Sequence, residues 1–397
     1  MIASAAAARF RWSGAALFRL LLLWLAGIDL RLTILAVPPV LPLIHRDLAL
    51  DEKSVAALTG LPVLLFGILA IPGSLLIARI GARRALILGL LTVAGASALR
   101  GVGPSAPMLF AMTFLMGAGV AVMQPALPSL VRQWFADAAA LATAVYANGL
   151  LIGEALAASL TLSLLLPLAG GSWERSFVLW AAPVWVTAVL MIAGTADAEP
   201  PGARSRARWW PDWRDPEVWR LGLIQGGSSL VYFACNAFLP DFLHANARPA
   251  LVNAGLTALN AGQLPASVVL LLFARRLAGR RGPFLAAALV SLLGVGALLL
   301  PDDAAIVAGA AVIGVCSAFL LTLVLALPPL LAAPEEVHRL SAGMMAVGYT
   351  LAFLVPFLGG ALWDATGVPA TAFVPAALGA LVVLGAAMAL HPPSRGS

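Results

Sequence analysis

The chain has 397 residues, of which 61% are hydrophobic and only 11% charged, whereas soluble domains are roughly a quarter charged. That composition excludes a soluble globular protein and indicates a polytopic helical membrane protein, with the lipid bilayer as its first partner. The net charge of +6 comes from basic residues scattered in short clusters between apolar segments, which the positive-inside rule accounts for without nucleic acid.

The first apolar run, 20–44, exceeds the ~7 to 15 residues of a signal-peptide core and reads as a retained span. Asp29 and Arg31 stand at its centre. A charge at the bilayer midplane costs at least ~2.5 to 3.5 kcal/mol, so such residues are functional candidates until a structural partner is found. Arg31 presents a planar fork of donors that suits a carboxylate or other small oxyanion, so it implies a small polar or anionic solute. The structural alternative is an ion pair, or an arginine reaching backbone carbonyls. Asp29 is two positions away, and neighbours along a helix face are three or four apart, so the two are not a simple intrahelical pair. Asp29 either pairs with another span or takes up protons.

Further apolar runs predict spans at 54–78, 85–103, 107–134, 138–167 and 175–195, then 217–243, 251–273, 284–300, 304–331, 340–363 and 369–390, twelve in all. The fourth carries Gln124, with Gly117 and Gly119 before it and Pro125 and Pro128 after it. A kinked helix is expected there, with Gln124 either reading out substrate or bonding a neighbouring helix. The fifth holds Glu154, the third midplane charge, which is a second candidate proton carrier or a compensating partner for Arg31. Gly149 and Gly153 beside it have small-xxx-small spacing, whose default role is close helix packing.

The polar stretch 197–216, with Pro200, Pro201 and arginines from Arg204 to Arg214, divides a half at 1–196 from a half at 217–397. The second half offers neutral groups: Gln225, Tyr232 and Asn236 in the seventh span, Asn260 and Gln263 in the eighth, Tyr349 and Thr350 in the eleventh. Tyr232, Gln263 and Tyr349 are the favoured cavity-lining residues, with Tyr146 and Asn148 weaker. Most tryptophans, Trp134 and Trp173 among them, lie near span ends where headgroup anchoring is expected. His45, His244, His338 and His391 lie at span ends or in loops and are expected to be solvated. Cys235 and Cys316 lie in apolar runs and give no metal-ligand spacing or disulfide framework, and no cofactor is expected.

Most of the 24 basic residues fall on the side of the termini and the central linker, which assigns that side to the cytoplasm. The expected location is the inner (plasma) membrane of a bacterium, and the expected state a monomer.

The loop after the second span reads Ala78, Arg79, Ile80, Gly81, Ala82, Arg83, Arg84, and a similar basic loop at Ala274 to Arg281 follows the eighth. Two six-span halves with such loops form the parallel-repeat pattern of the major facilitator superfamily. Arg79, Gly81, Arg83 and Arg84 resemble that superfamily's loop signature, with Ala78 where an acidic residue is usual. The resemblance implies an all-α membrane fold of twelve helices and a conformational role for this loop.

The chain further resembles the CynX/NimT branch, the cyanate and nitroimidazole transporters. The matching pieces are Gly27, Ile28, Asp29, Leu30 and Arg31 with Pro38, Pro39 and Pro42. Leu58 to Val63 follows, then Gln124 with Pro128, then Trp219 to Gly222 with Tyr232 and Pro240, then Gly262 with Gln263, then Gly348, Pro356 and Gly360. Asp29 stands where the branch usually has Asn. The resemblance implies a secondary transporter working by alternating access; the polar mid-span residues Arg31, Gln124, Tyr232, Gln263 and Tyr349 are the expected substrate ligands, with Asp29 or Glu154 as proton carrier if transport is coupled. The rival readings are a multidrug-type efflux antiporter for more hydrophobic compounds and a transport-inactive membrane sensor. A membrane enzyme is disfavoured, because the chain has no HExxH, no Walker-type loop and no loop long enough for a catalytic domain.

Overall fold

The computed structural model describes residues 13–50, 52–103, 105–195 and 208–390. The expected linker therefore lies partly outside the described residues, together with Pro200, Pro201, Arg204, Arg206 and His391. The described residues contain helices and no strand.

Among the described residues ten helical segments are long and apolar enough to cross a membrane, and the bent pair Gly60–Ile68 and Ala70–Ile80 makes an eleventh. The ten are Gly14–Leu48, Ala82–Leu99, Ala106–Trp134, Ala136–Leu168, Trp173–Gly194, Pro249–Leu277, Arg281–Leu298, Asp303–Leu331, Val337–Thr366 and Pro369–Met388. The twelfth is the seventh in order, Pro216–Ala245. At 30 residues it is long enough to cross, but Gln225, Ser228, Ser229, Tyr232 and Asn236 dilute its apolar character. All twelve coincide with the spans expected from the sequence to within a few residues at each end.

Local chemistry sets the starts and breaks. Ser13, Ser105, Ser172, Asp215 and Asp302 cap helix N-termini by accepting from backbone N–H groups that have no intrahelical partner. The first span breaks at Ala36, just before Pro38 and Pro39, and the tenth at Ala326, before Pro328 and Pro329. A proline ring fixes φ and supplies no donor, so the helix restarts rather than continues. The second span bends by 52° at Leu69, and the eighth is interrupted at Gly262.

The first span packs on the fifth and sixth, the third on the fourth and sixth, the seventh on the eleventh and twelfth, and the ninth on the tenth and twelfth. Across the middle of the bundle the fifth span meets the eighth and tenth, while the second and fourth meet the eleventh. The first and fifth spans touch closely. A Cβ on Gly27 would lie 2.1 Å from the Tyr146 carbonyl oxygen, and one on Gly149 would lie 2.2 Å from that of Trp24.

Two sequence expectations need correction. His338 is buried, not solvated, at 5% exposure. Its Nδ1 lies 2.7 Å from the Ser74 hydroxyl, which also donates to the Trp209 carbonyl at 2.8 Å. The chain segment from Arg208 folds over this end of the second and eleventh spans, held also by Arg339 Nη2 and Asp212 Oδ2 at 3.1 Å. Trp173, expected as an interfacial anchor, is 1% exposed and donates to Asp47 Oδ2 at 3.0 Å. Its indole N–H found an internal acceptor, so the ring could be buried whole.

Candidate solute-binding cavity

Six spans converge on one cavity near their midpoints. Its polar lining is Arg31 from the first span, Glu154 from the fifth, Ser228, Ser229 and Tyr232 from the seventh, Gln263 from the eighth, Ser317 from the tenth and Tyr349 from the eleventh. Leucines and Phe233 complete the wall. The space open to the centre of a water-sized molecule is about 60 Å³, and one water needs ~10 to 15 Å³ on that measure. The cavity therefore suits a solute of a few heavy atoms.

Arg31 is half-buried and, among the described residues, makes no hydrogen bond or ion pair, either with Glu154 or with another. Its guanidinium rests over the Phe66 ring at 5.7 Å, and Phe66 in turn meets Tyr349 edge to face at 5.3 Å. The aromatic support attracts the cation while leaving its in-plane N–H donors unspent. Those donors face the cavity that Glu154 also lines.

Opposite it, the Tyr232 hydroxyl lies 2.7 Å from Glu154 Oε1 and 2.7 Å from Asn260 Oδ1. Asn236 Nδ2 donates to Asn260 Oδ1 at 3.3 Å, and Asn260 Nδ2 donates to the Leu256 carbonyl at 2.8 Å. Asn260 and Gln263 flank the interruption of the eighth span at Gly262. No Cβ fits at Gly262, where it would lie 2.6 Å from the Ala311 carbonyl oxygen.

The structure separates the other candidates from this cavity. Asp29 is 1% exposed and faces Thr187 of the sixth span, and its Oδ2 has no hydrogen-bond partner. Gln124 is buried at 7% exposure in the fourth span and is not among the cavity-lining residues. Its neighbours Val122 and Pro125 pack against Gly73 of the second span. Gln225 is packed against Gly348 with neither amide atom bonded. Tyr146 is buried on the fifth span. Asn148 accepts from Trp24 Nε1 at 2.9 Å and donates to Ser267 Oγ at 2.9 Å, linking the first, fifth and eighth spans.

In the basic loop, Gly81 takes φ 85°, the turn that separates the second span from the third. Arg83 donates to Thr195 Oγ1 at 2.5 Å, to the Thr195 carbonyl at 2.7 Å and to the Ile192 carbonyl at 3.1 Å, which closes off the end of the sixth span. Arg79 and Arg84 are exposed.

Sequence reasoning passed over Ser228, Ser229 and Ser317, because serines in apolar helices carry no signal of which side they face. It also passed over Arg100, which reads as a loop arginine yet is 1% exposed. Arg100 Nη2 donates to the Thr33 carbonyl at 2.8 Å, and its guanidinium stacks over Phe177 at 4.4 Å.

The sequence pattern of the Major Facilitator Superfamily matches residues 20–245. The cyanate transport protein CynX of Escherichia coli (strain K12) is 27% identical over 354 residues, covering 88% of this chain and 90% of that protein. The 2-nitroimidazole transporter of the same organism is 27% identical over 351 residues, covering 85% and 86%. Among solved structures, the transporter FucP in its outward conformation superposes with a TM-score of 0.74 at 16% identity, covering 94% of this chain and 99% of that one.

Proposed function

The chain belongs to the Major Facilitator Superfamily and is an integral membrane transporter that resembles the CynX/NimT branch; from that premise we propose that it moves a small anionic or strongly polar solute by alternating access. The observation that carries the reading is Arg31, a guanidinium with no hydrogen-bond or ion-pair partner among the described residues, facing a cavity lined from both sides of the bundle. Arg31 binds the solute's negative charge. Ser228, Ser229, Tyr232, Gln263 and Tyr349 supply donors and acceptors around it. The related cyanate and 2-nitroimidazole transporters make solutes of that size the first to test. About 60 Å³ of open space disfavours an efflux site for large hydrophobic compounds.

Alternating access requires two units that rock about the site. The proposed units are 1–196 and 217–397, joined by 197–216. Support comes from the crossing contacts, in which the fifth span meets the eighth and the second meets the eleventh. Advancing the first pair by six spans gives the second, the relation that a repeat of six implies. Both termini are assigned to the cytoplasm of a bacterial inner membrane, and the unit of transport is one chain.

The test is uptake of cyanate and other small anions into proteoliposomes. Arg31→Gln is expected to abolish it, and Arg31→Lys to retain a fraction, since an ammonium keeps the charge without the planar fork. Unchanged uptake by correctly inserted Arg31→Gln protein sinks Arg31 as the solute ligand.

A further inference from the structure

Arg100 is buried at the C-terminal end of the third span, outside the cavity lining. A guanidinium stays charged, so its burial is costly wherever its donors go unmet. Here Nη2 donates to the Thr33 carbonyl of the first span at 2.8 Å and to Ser97 Oγ of its own span at 3.3 Å. Nε and Nη1 have no hydrogen-bond partner among the described residues. The guanidinium stacks over Phe177 of the sixth span at 4.4 Å, and Ser97 Oγ donates to the Phe177 carbonyl at 3.3 Å. One side chain thus joins three spans, and its shorter bond goes to the main chain of the span that carries Arg31.

Residues one turn apart share a helix face, and residues two apart lie about 200° from each other around it. Arg31 and Leu35 line the cavity. Thr33, between them, is fully buried on the far side of the helix, together with Asp29 one turn earlier, which faces Thr187 of the sixth span. The close backbone contacts with the fifth span lie at Trp24, Gly27 and Ile28, before Arg31. Soon after Arg31 the helix breaks at Ala36, because Pro38 and Pro39 cannot supply the bonds that would continue it. The turn that carries Arg31 therefore runs into a weakened ladder, and Arg100 holds that turn from behind.

We propose that Arg100 is a positioning residue for Arg31: by fixing the Thr33 carbonyl against the third and sixth spans, it sets the rotation of the turn that aims Arg31 into the cavity. The inference rests on the reading of Arg31 as the anion ligand. On its own side Arg31 is supported by the face of Phe66 at 5.7 Å. A ring face attracts a cation without fixing its direction as a hydrogen bond does, so the aim of the Arg31 donors depends on the backbone that carries them. Aim matters because a guanidinium holds an oxyanion through two parallel bonds, which form only when fork and anion are coplanar. A lysine ammonium is a point charge and is far less sensitive to such placement.

The experiment is calorimetric titration of purified protein with cyanate and with nitrate, which reports the affinity and the fraction of competent sites separately. Arg100→Met keeps an apolar stem over Phe177 and removes the donors. It should bind about tenfold more weakly at the competent sites, the loss of one charged hydrogen bond. Arg100→Lys should not restore the affinity, because it keeps the charge without the fork. In an Arg31→Lys background, Arg100→Met should cost less than about twofold, since the two positions are coupled through the aim of the fork. Ser97→Ala removes the side-chain acceptor beside Arg100 and is the milder variant; it should weaken binding about threefold, and it decides the matter by the same comparison if Arg100→Met does not fold. Wild-type affinity at the competent sites of the variant, full recovery by Arg100→Lys, or an equal loss in both backgrounds overturns the positioning role. Anion binding that survives Arg31→Gln, or no anion binding by wild type, overturns the reading beneath it.

Discussion

Gly153 of the fifth span lies so close to Ile28 of the first that a Cβ placed on it would be 2.2 Å from the Ile28 carbonyl oxygen. The two helices meet backbone to backbone, which sets Glu154 and Arg31 at a fixed spacing across the cavity. Gly153→Val is expected to force them apart. Overpacking of this kind costs about 1 to 3 kcal/mol, so the variant should denature at lower temperature in detergent. Its transport per folded molecule should fall as well, because the cavity residues are displaced. Wild-type stability and uptake in this variant would contradict the close contact.

Asp29 is the charge nearest Arg31 in sequence, yet it is packed against the sixth span outside the cavity. Asp29→Asn keeps its shape and removes an incompletely bonded acid. The expected effect on anion affinity is less than about threefold, under ~0.7 kcal/mol. Equilibrium binding of the anion to the variant checks it. A loss comparable to that of Arg31→Gln would bring Asp29 into the site.

Arg83 spreads its donors over Thr195 and Ile192 at the end of the sixth span. Arg83→Ala leaves carbonyls that have no intrahelical donor, and should cost about 1 to 3 kcal/mol. Arg83→Lys should recover only part, since one ammonium cannot cover the same fork. Thermal denaturation of the three proteins side by side gives the comparison.

Ser74 and His338 join the second and eleventh spans beneath the segment that starts at Arg208. If access alternates, this end must open once in each cycle. Ser74→Cys combined with His338→Cys should cross-link under oxidation and arrest uptake, and a reductant should restore it. Full transport by the cross-linked protein would show that this end stays shut throughout.

Much of the architecture was legible in the sequence, because crossing a bilayer is a one-dimensional requirement. A helix must supply about 20 apolar residues in a row, whatever its neighbours. Even the seventh span, whose polar groups keep it below the apolar standard of the others, was visible from its length and its place in order. The breaks at Ala36 and Ala326 follow from the prolines beside them. Arg31 was visible for the same reason: a cation that cannot be neutralised, placed mid-span, needs a purpose.

What tertiary structure decided is which side of each helix meets the cavity. In a soluble protein the polar face of a helix reveals its orientation, but here lipid and core are both apolar and the spans carry little such pattern. The rotation of each helix is set by backbone contacts such as Gly149 with Trp24 and Gly153 with Ile28. Those contacts turned Glu154 into the cavity beside Arg31, and left Asp29 and Gln124 outside its lining. They also brought Asn260 against Tyr232. The sequence by itself determined the twelve spans and the cation at the middle of the first; the packing of one helix backbone against another determined what that cation shares its cavity with.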